Sequence, residues 1–207
     1  MKRIFSIIAF ALIAIGALAQ TPEEIVKNME AVMEQGEQTG MVMTVDIKIP
    51  IIGTLSTRAW NLGKKSYMEG SMQGHTLRIW SDGKTDWSYD VDDNEIEIKD
   101  VKPSDDSDDK TSTFKGTAEG YDLSITKETD EAWFITGKKS RNNKSKDDPK
   151  KLNMVIAKGT FYPINLSSKL KGVTLTIRDF ELGVTEEKVT FDQSQFPTAT
   201  VVDKRGQ

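Results

Sequence analysis

The sequence contains no cysteine and only one histidine, His75. The lack of cysteine excludes disulfides, thiolate metal sites and a cysteine nucleophile together. Without a second histidine, neither a metal site nor a Ser-His-Asp arrangement is expected around His75, and we interpret it as a solvent-facing turn residue. A glycine-rich phosphate loop and a nucleophile elbow are also missing. The sequence therefore predicts no catalytic residue, no metal and no cofactor, and we expect that the protein is not an enzyme.

A net positive charge is lacking as well. The chain has 28 lysines and arginines against 32 aspartates and glutamates, which gives a formal net charge of −4. Because an acidic chain is repelled by phosphate groups, nucleic acid is not an expected partner. A hydrolase that uses a pair of carboxylates stays open as an alternative in so acidic a chain, although no feature singles out a pair.

Only one long apolar run is present, and it lies at the N-terminus. A basic pair precedes the almost wholly apolar residues 4–18, and an A-x-A cleavage site ends at Ala19. The run is too short for a membrane-spanning helix and is typical of a secretory signal peptide. We therefore expect a signal peptide over residues 1–19 and a single exported domain over residues 20–207.

An amphipathic helix is predicted directly after the signal peptide. Thr21 is a good N-cap, Pro22 suits the first helical position, and Glu24 completes a capping box. Gly36 is a natural end for this helix. Its apolar residues form one stripe, which must cover another apolar surface: Ile25, Val26, Met29, Val32 and Met33.

Most of the remaining chain alternates between apolar and polar residues, as β-strands do. Residues 41–49, for example, place Met43, Val45 and Ile47 on one wholly apolar face. We count about ten or eleven such strands without helices of useful length between them, which favours one extended antiparallel sheet. One helix cannot fill all the apolar surface that a curved sheet of this size offers, so we expect a residual cavity.

The stretch WSDGKTDWSY, at residues 80–89, places an Asp-Gly pair between aromatic residues. Asp82 and Gly83 predict a hairpin with a two-residue type I′ turn, in which Trp80 would pair with Thr85. Period-2 alternation places three aromatic side chains on one face of this hairpin: Trp80, Trp87 and Tyr89.

Two acidic stretches resemble fragments of cation sites. Residues 105–109 hold four aspartates around one serine, and Asp90, Asp92 and Asn94 alternate as at the start of a calcium loop. The glycine and the distal glutamate of a calcium loop are missing at the required spacing. We therefore interpret these stretches as a polar loop and a hairpin turn.

Three segments of the chain resemble the LolA family of periplasmic lipoprotein carriers. The hairpin segment 81–85, with Trp87 and Tyr89, is similar to the family motif S-D-G-K-T-x-W-x-Y. The next strand, at 94–98, is similar to the strand that follows in the family. The closing segments, 189–192 and 201–203 followed by Lys204 and Arg205, look like the family's closing F-x-F and V-x-D segment. The likeness extends in order over nearly the whole exported chain, and its specific part is the hairpin motif.

The resemblance implies an unclosed antiparallel half-barrel whose concave apolar face is covered by the N-terminal helix. It also implies a monomeric periplasmic carrier that takes acylated lipoproteins from an inner-membrane lipoprotein-releasing transporter and passes them to an outer-membrane acceptor. On this interpretation the wall of the lipid cavity comprises Met43, Val45, Ile47, Trp87, Tyr89, Ile96, Ile98, Leu123 and Ile125. The cover helix contributes Ile25, Met29, Val32 and Met33.

Two features depart from the family pattern. Family members have an apolar lid helix where residues 103–120 of this chain are strongly polar, so no such helix is expected here. Proteobacterial members hold the lid closed with an arginine near the end of an early strand, whereas the nearest residues here are Lys64 and Lys65, which lack the planar guanidinium. A second interpretation also stays open, namely an envelope sensor or protein-interaction module on the same scaffold.

Overall fold

A computed structural model describes residues 20–72, 74–101 and 116–206. These residues form one α-helix, twelve β-strands and two short 3₁₀ helices. The helices are α1 Pro22–Thr39 and the 3₁₀ helices Glu186–Val189 and Gln193–Gln195. The strands are β1 Met41–Ile49, β2 Gly53–Leu62, β3 Lys65–Met72, β4 His75–Ser81, β5 Thr85–Asp90, β6 Glu95–Asp100, β7 Tyr121–Glu128, β8 Ala132–Lys139, β9 Lys151–Ala157, β10 Pro163–Leu170, β11 Val173–Leu182 and β12 Thr200–Asp203.

The strands form one open sheet with the order β12-β6-β5-β4-β3-β2-β1-β11-β10-β9-β8-β7. Two meanders, β1–β6 and β7–β11, join where β1 pairs with β11. The architecture confirms the expected unclosed half-barrel with an N-terminal helix. The sheet has one strand more than expected and is mixed, because the short β12 pairs with β6 in parallel. Four residues give too brief an alternation for the sequence to indicate this strand.

Helix α1 begins where the sequence predicts and ends later. The Thr21 hydroxyl accepts a hydrogen bond from the Glu24 N–H at 3.2 Å, and the Glu24 carboxylate accepts one from the Thr21 N–H at 3.0 Å. The helix continues past Gly36 and ends at Gly40, which has a φ of 93°. Gly36 is buried, and a Cβ there would lie 2.9 Å from Leu182 Cδ2. Gly36 was predicted to end the helix and lies instead inside its last turns, where it faces the Leu182 side chain.

The β4–β5 hairpin has the predicted faces but a different turn. Trp80 pairs with Trp87 rather than with Thr85, so the turn predicted at Asp82 and Gly83 and its register are wrong. The Asp82 carboxylate accepts hydrogen bonds from the N–H groups of Lys84 and Thr85 at 2.8 and 2.7 Å. These donors lower the pKa of Asp82. The N–H of Asp82 donates a hydrogen bond to the carbonyl of Thr85 at 3.2 Å, so the turn lies at Gly83 and Lys84, one residue later than predicted. Because the register shift is even, the aromatic residues keep their predicted face.

The two faces of the sheet follow from the cross-strand register, since directly paired residues point to the same side. We call the side that α1 covers the inner face and the opposite side the outer face. One row of the inner face crosses six strands: Val45, Ile177, Leu166, Met154, Ile135 and Ile125. One row of the outer face crosses six strands on the other side of β1: Val42, Trp60, Tyr67, Trp80, Trp87 and Ile98. Both faces are therefore apolar over part of their area.

The two edges of the sheet are short or irregular. The β12 edge has four residues, Thr200–Asp203. The β7 edge has a register shift against β8 between Ile125 and Lys127. Its exposed residues include Asp122, Lys127 and Glu128.

Candidate functional site

A cavity of about 800 Å³ lies on the inner face, beside the C-terminal half of α1. Half of the residues around it are apolar, and they come from six strands on both sides of β1. These residues are Met41, Met43, Val45, Ala59, Met68, Leu152, Met154, Leu166, Leu175 and Ile177. The helix covers part of the inner face and leaves this part open. The sheet therefore presents more apolar surface than its own described residues fill.

Methionine is concentrated around the cavity. The chain has eight methionines, and four of them, Met41, Met43, Met68 and Met154, line the cavity. Two more, Met29 and Met33, are buried in the same cluster on the helix side. An unbranched thioether side chain changes rotamer readily and packs against surfaces of varied shape. A wall of this composition can adapt to flexible apolar guests.

Polar residues of α1 and of the β2–β3 turn form the rim of the cavity. The helix contributes Glu34, Glu37 and Gln38, and the turn contributes Gly63 and Lys64. The N–H of Gly63 donates a hydrogen bond to the carbonyl of Glu37 at 3.2 Å. This bond holds the end of the helix to the turn, so the apolar wall has a polar rim of fixed position.

Five of the predicted wall residues lie on the inner face. Met43 and Val45 line the cavity directly. Leu123 and Ile125, on the edge strand β7, are half-buried and pack against the same core cluster. Ile47 pairs with Leu175, which lines the cavity, and is half-buried beyond it on the same face.

The other four predicted wall residues lie on the outer face, and their predicted placement is wrong. Trp87 pairs with Ile98, and Tyr89 pairs with Ile96. Trp87 belongs to the outer row, which runs from β5 across β4, β3 and β2 to Val42 on β1. Val42 is adjacent to Met43 in the sequence. Because adjacent residues of a strand point to opposite sides, this group and Met43 cannot line one cavity.

The outer aromatic residues are covered by the chain's own C-terminal segment. Phe191 stacks on Trp87 with ring centroids 5.3 Å apart, and Phe196 lies 4.6 Å from Tyr89. Val189, in the first 3₁₀ helix, is buried in the same cluster. Such ring contacts stabilise the fold beyond the area that they bury. The aromatic hairpin therefore belongs to a second core and not to the cavity.

The rim of this second core is polar and paired. Lys188 lies over the rings of Trp60 and Tyr67, with Nζ 4.3 and 4.5 Å from their centroids. The Tyr67 hydroxyl donates a hydrogen bond to Glu69 at 2.6 Å, and Arg78 donates another at 2.7 Å. Burial raises the pKa of Tyr67, and the hydrogen bond from Tyr67 lowers the pKa of Glu69. At neutral pH the tyrosine stays protonated and the carboxylate stays charged.

The cover helix packs on the inner face through most of its predicted stripe. Ile25, Met29 and Met33 are buried in the core cluster that contains Met43. Val32 is only half-buried and is not part of this cluster. Val26, which belongs to the predicted stripe, is buried in this cluster as well.

Sequence reasoning missed several residues of the cavity. Met68 stands among polar residues on β3 and gives no clear alternation. Met154, Leu166 and Ile177 do alternate, but their strands are linked to β1 only through the register of β11. The alternation of apolar residues marks these three positions as inward-facing candidates. It does not show which strands lie next to one another in the sheet, so it could not place them in the same cavity as Met43.

The histidine lies in an exposed acidic group. His75 Nδ1 is 3.8 Å from Asp92 Oδ2, and ligand atoms of His75, Asp90 and Asp92 lie within 4.8 Å of one another. Both carboxylates accept hydrogen bonds from backbone N–H groups, Asp92 from Thr76 and Asp90 from Asp92 and Asp93. Because they accept these hydrogen bonds, Asp90 and Asp92 have a structural role as caps of turns.

Two predictions fall on residues that the structure does not describe. The signal peptide at residues 1–19 lies outside the described residues, as does most of the polar segment that stands in place of a lid, at residues 102–115. Among the described residues, no helix is both long enough and apolar enough to cross a bilayer.

The solved structures that are similar to this chain have low sequence identity to it. No family model matches the chain, and no curated protein matches it. An uncharacterized conserved protein from Thermus thermophilus is similar, with 18% identity, a TM-score of 0.48, and coverage of 89% of this chain and 100% of that chain. A LolA superfamily protein from Nitrosomonas europaea has 9% identity and a TM-score of 0.35 over 85% of this chain and 100% of that chain. A chain of the Pseudomonas aeruginosa MucA/MucB complex has 10% identity and a TM-score of 0.47 over 86% of this chain and 64% of that chain.

The class that the fold defines is an open half-barrel with one helix across its inner face. Because all three TM-scores lie below 0.5, the function of this chain is inferred from its own cavity and not from these neighbours.

Proposed function

We propose that the protein is a periplasmic carrier that binds the acyl chains of lipoproteins in the inner cavity and transfers them without chemical catalysis. The observation that carries this proposal is the cavity of about 800 Å³ with its methionine-rich wall. Cavities of roughly 300–1,000 Å³ enclose most of a small ligand, so this volume suits one or more chain segments.

The physical need for a carrier follows from the hydrophobic effect. Each methylene that leaves a bilayer for water costs about 0.8 kcal/mol, so a long acyl chain is held by on the order of 10 kcal/mol. Unassisted passage through an aqueous compartment is therefore negligible. A carrier must shield the chain and still release it, so its affinity must lie between those of donor and acceptor.

The wall and the rim of the cavity suit both requirements. The methionines offer apolar contact without one fixed shape, which favours binding of flexible chains and also their exit. The polar rim from α1 and the β2–β3 turn leaves room for the protein part of an acylated guest outside the apolar wall. The donor would be an inner-membrane lipoprotein-releasing transporter, and the receiver would be an outer-membrane acceptor.

A variant that fills the cavity tests the proposal. Ala59 is 5% exposed, lines the cavity and lies between its pairing partners Met43 and Met68. In Ala59→Phe the ring should occupy the space that the acyl chain needs. We expect retention of a co-expressed acylated lipoprotein in the soluble fraction to fall on the order of tenfold. Ala31→Phe is the matched control, because Ala31 is exposed on α1 and should leave retention unchanged.

A lipoprotein that lacks its acyl chains distinguishes the carrier hypothesis from the hypothesis of a protein-interaction module. The carrier should hold the acylated form and release the non-acylated form, and a dye for apolar cavities should bind the wild type more strongly than Ala59→Phe. Equal retention of the two forms would favour the envelope sensor or interaction module. A thermal melt of each variant checks that it is folded.

A further inference from the structure

The turn between β1 and β2 exposes aliphatic side chains to solvent. Pro50, Ile51 and Ile52 form this turn, and Ile51 and Ile52 are 107% and 59% exposed. Ile51 has the largest exposure among the described large hydrophobic residues. We call residues 50–52 the apolar tip. An isoleucine pair at the outermost point of a hairpin contributes nothing to the core, so its presence calls for another partner.

The backbone of the tip is strained. Ile51 has a φ of 72°, in the left-handed region that β-branched residues rarely adopt. Asparagine or glycine would take this conformation more easily and would also remove the exposed apolar surface. The turn thus keeps a residue that is unfavourable for folding at the position where it is most exposed. Strain of this kind points to a role outside the folded chain.

Lysines flank the tip. Lys48 on β1 and Lys169 on β10 both pair with Thr174 of β11, so they lie on the same face on either side of it. Both are exposed, and no ion pair of either is found among the described residues. Lys171 lies beside the tip, because a Cβ on the next residue, Gly172, would be 3.7 Å from Pro50 Cγ. Its Nζ is already paired with Asp147 Oδ1 at 2.9 Å, so the two unpaired lysines are Lys48 and Lys169. An apolar point with cations around it is unusual in a chain of net charge −4.

A bilayer with anionic lipids fits this arrangement better than a protein surface does. Two isoleucines offer far less than the area of a stable protein interface, and they are not among the residues that dominate such interfaces. A bilayer needs no shape complementarity, since aliphatic side chains enter the boundary of the acyl region while lysines stay at the phosphates.

The tip also has a useful position relative to the cavity. Ile47 pairs with Leu175, which lines the cavity and is 37% exposed. Ile47 is three residues before Pro50, which corresponds to about 10 Å along an extended strand. A bilayer that received the tip would therefore lie close to this exposed part of the cavity wall.

We infer that the apolar tip inserts into the interfacial region of an anionic bilayer while Lys48 and Lys169 contact lipid phosphates. The docking brings the cavity to the membrane surface and needs no bound cargo. It can therefore be tested apart from the carrier function, and either can fail alone.

Vesicle cosedimentation tests the inference with the protein lacking residues 1–19, which retains every described element. The vesicles are phosphatidylcholine with roughly one-quarter phosphatidylglycerol, and pure phosphatidylcholine serves for comparison. The double variant Ile51→Asn, Ile52→Asn should bind the anionic vesicles about tenfold or more weakly. Ile164→Asn, at an isoleucine that is 48% exposed on β10, should bind as the wild type does.

The charge contribution has its own matched pair. The double variant Lys48→Gln, Lys169→Gln should weaken binding to anionic vesicles several-fold and reduce the salt dependence of binding. The control double variant Lys27→Gln, Lys84→Gln, at exposed positions of α1 and the β4–β5 turn, should do neither.

The melting temperature of Ile51→Asn should stay equal or rise, because the strain is relieved. Equal vesicle binding by the tip variant and the wild type would overturn the inference. Binding that requires a reconstituted membrane protein would also overturn it and would favour a protein partner.

Discussion

The two faces of the sheet both carry apolar surface, and the chain treats them differently. On the outer face, Phe191 and Phe196 return from the C-terminal segment and cover Trp80, Trp87 and Tyr89. On the inner face, α1 covers one part and a cavity of about 800 Å³ remains beside it. Hydrophobic strands alone therefore do not indicate a binding site, since what matters is whether the same chain also supplies their cover.

The composition of the two faces agrees with this division. Aromatic rings have few rotamers and specific contact geometry, which suits a surface that is always packed in one way. Methionines are flexible, which suits a surface whose partner changes or is absent. The outer face is thus the packed side of the sheet, and the inner face is the side with room for a guest.

Equivalent truncations on the two faces should give the largest contrast. Trp80 is 8% exposed and contacts Tyr67, Phe191 and Phe196, so Trp80→Ala should lower the free energy of unfolding by about 3–5 kcal/mol. Met68→Ala removes a half-buried side chain that already borders a cavity and should cost less than about 2 kcal/mol. Denaturant unfolding measures both. Equal losses would contradict the view that only the outer face is tightly packed.

An intermediate effect is expected at the polar end of the outer face. The Asp46 carboxylate accepts hydrogen bonds from Arg178 at 2.7 Å and from Ser56 at 2.6 Å, and these bonds lower the pKa of Asp46. A lowered pKa stabilises the fold above the ordinary value of 3.8, and this stabilisation is lost as the pH falls below that value. Asp46→Asn should therefore cost about 1 kcal/mol at pH 7, since Arg178 is partly exposed.

The pH dependence of the stability shows whether Asp46→Asn acts by removing the Asp46–Arg178 ion pair or by a general loss of stability. The difference between the wild type and Asp46→Asn should shrink as the pH is lowered from about 4 towards the folded-state pKa of Asp46. Asp122→Asn is the control, because Asp122 is exposed on the edge strand β7. Thermal melts of the three proteins over this pH range would contradict the assignment if the Asp46→Asn difference stayed constant.

The smallest effect is expected where the helix rests on the inner face. Gly36→Ala improves helix propensity, and the added methyl group meets only the end of the flexible and 44% exposed Leu182 side chain. We expect a gain of about 0.5 kcal/mol in the free energy of unfolding. Gly40→Ala should be clearly destabilising, because its φ is 93° and the new Cβ would lie 2.6 Å from the backbone of Val184, next to the outer core. Denaturant unfolding of both variants checks this contrast.

The sequence predicts the local structure of this fold better than it predicts which residues lie on the inner face of the sheet and which on the outer face. The capping box at Thr21 and Glu24 needs only residues close in the chain, and so does the shared face of Trp80 and Trp87. Whether Trp87 and Met43 share a face depends on the register of β2, β3 and β4 between them, which alternation within each strand does not fix. With two apolar faces, the sequence pattern could not show which one the helix would cover.

The turn and the cavity illustrate the same limit. The Asp82 side chain replaces a backbone conformation that the Asp-Gly pair would otherwise favour, so residue preference alone gave the wrong register. The cavity residues Met154 and Ile177 were visible as apolar positions, but β1 and β11 are far apart in the chain and become neighbours only in the folded sheet.

An open sheet has two unpaired borders, and each is a potential template for another copy of the chain. Here one border is a strand of only four residues, and the other combines an irregular register with the charged side chains of Asp122, Lys127 and Glu128. Strand-by-strand growth into polymers is disfavoured at both borders. The half-barrel can thus remain open for a guest without becoming a building block for aggregation.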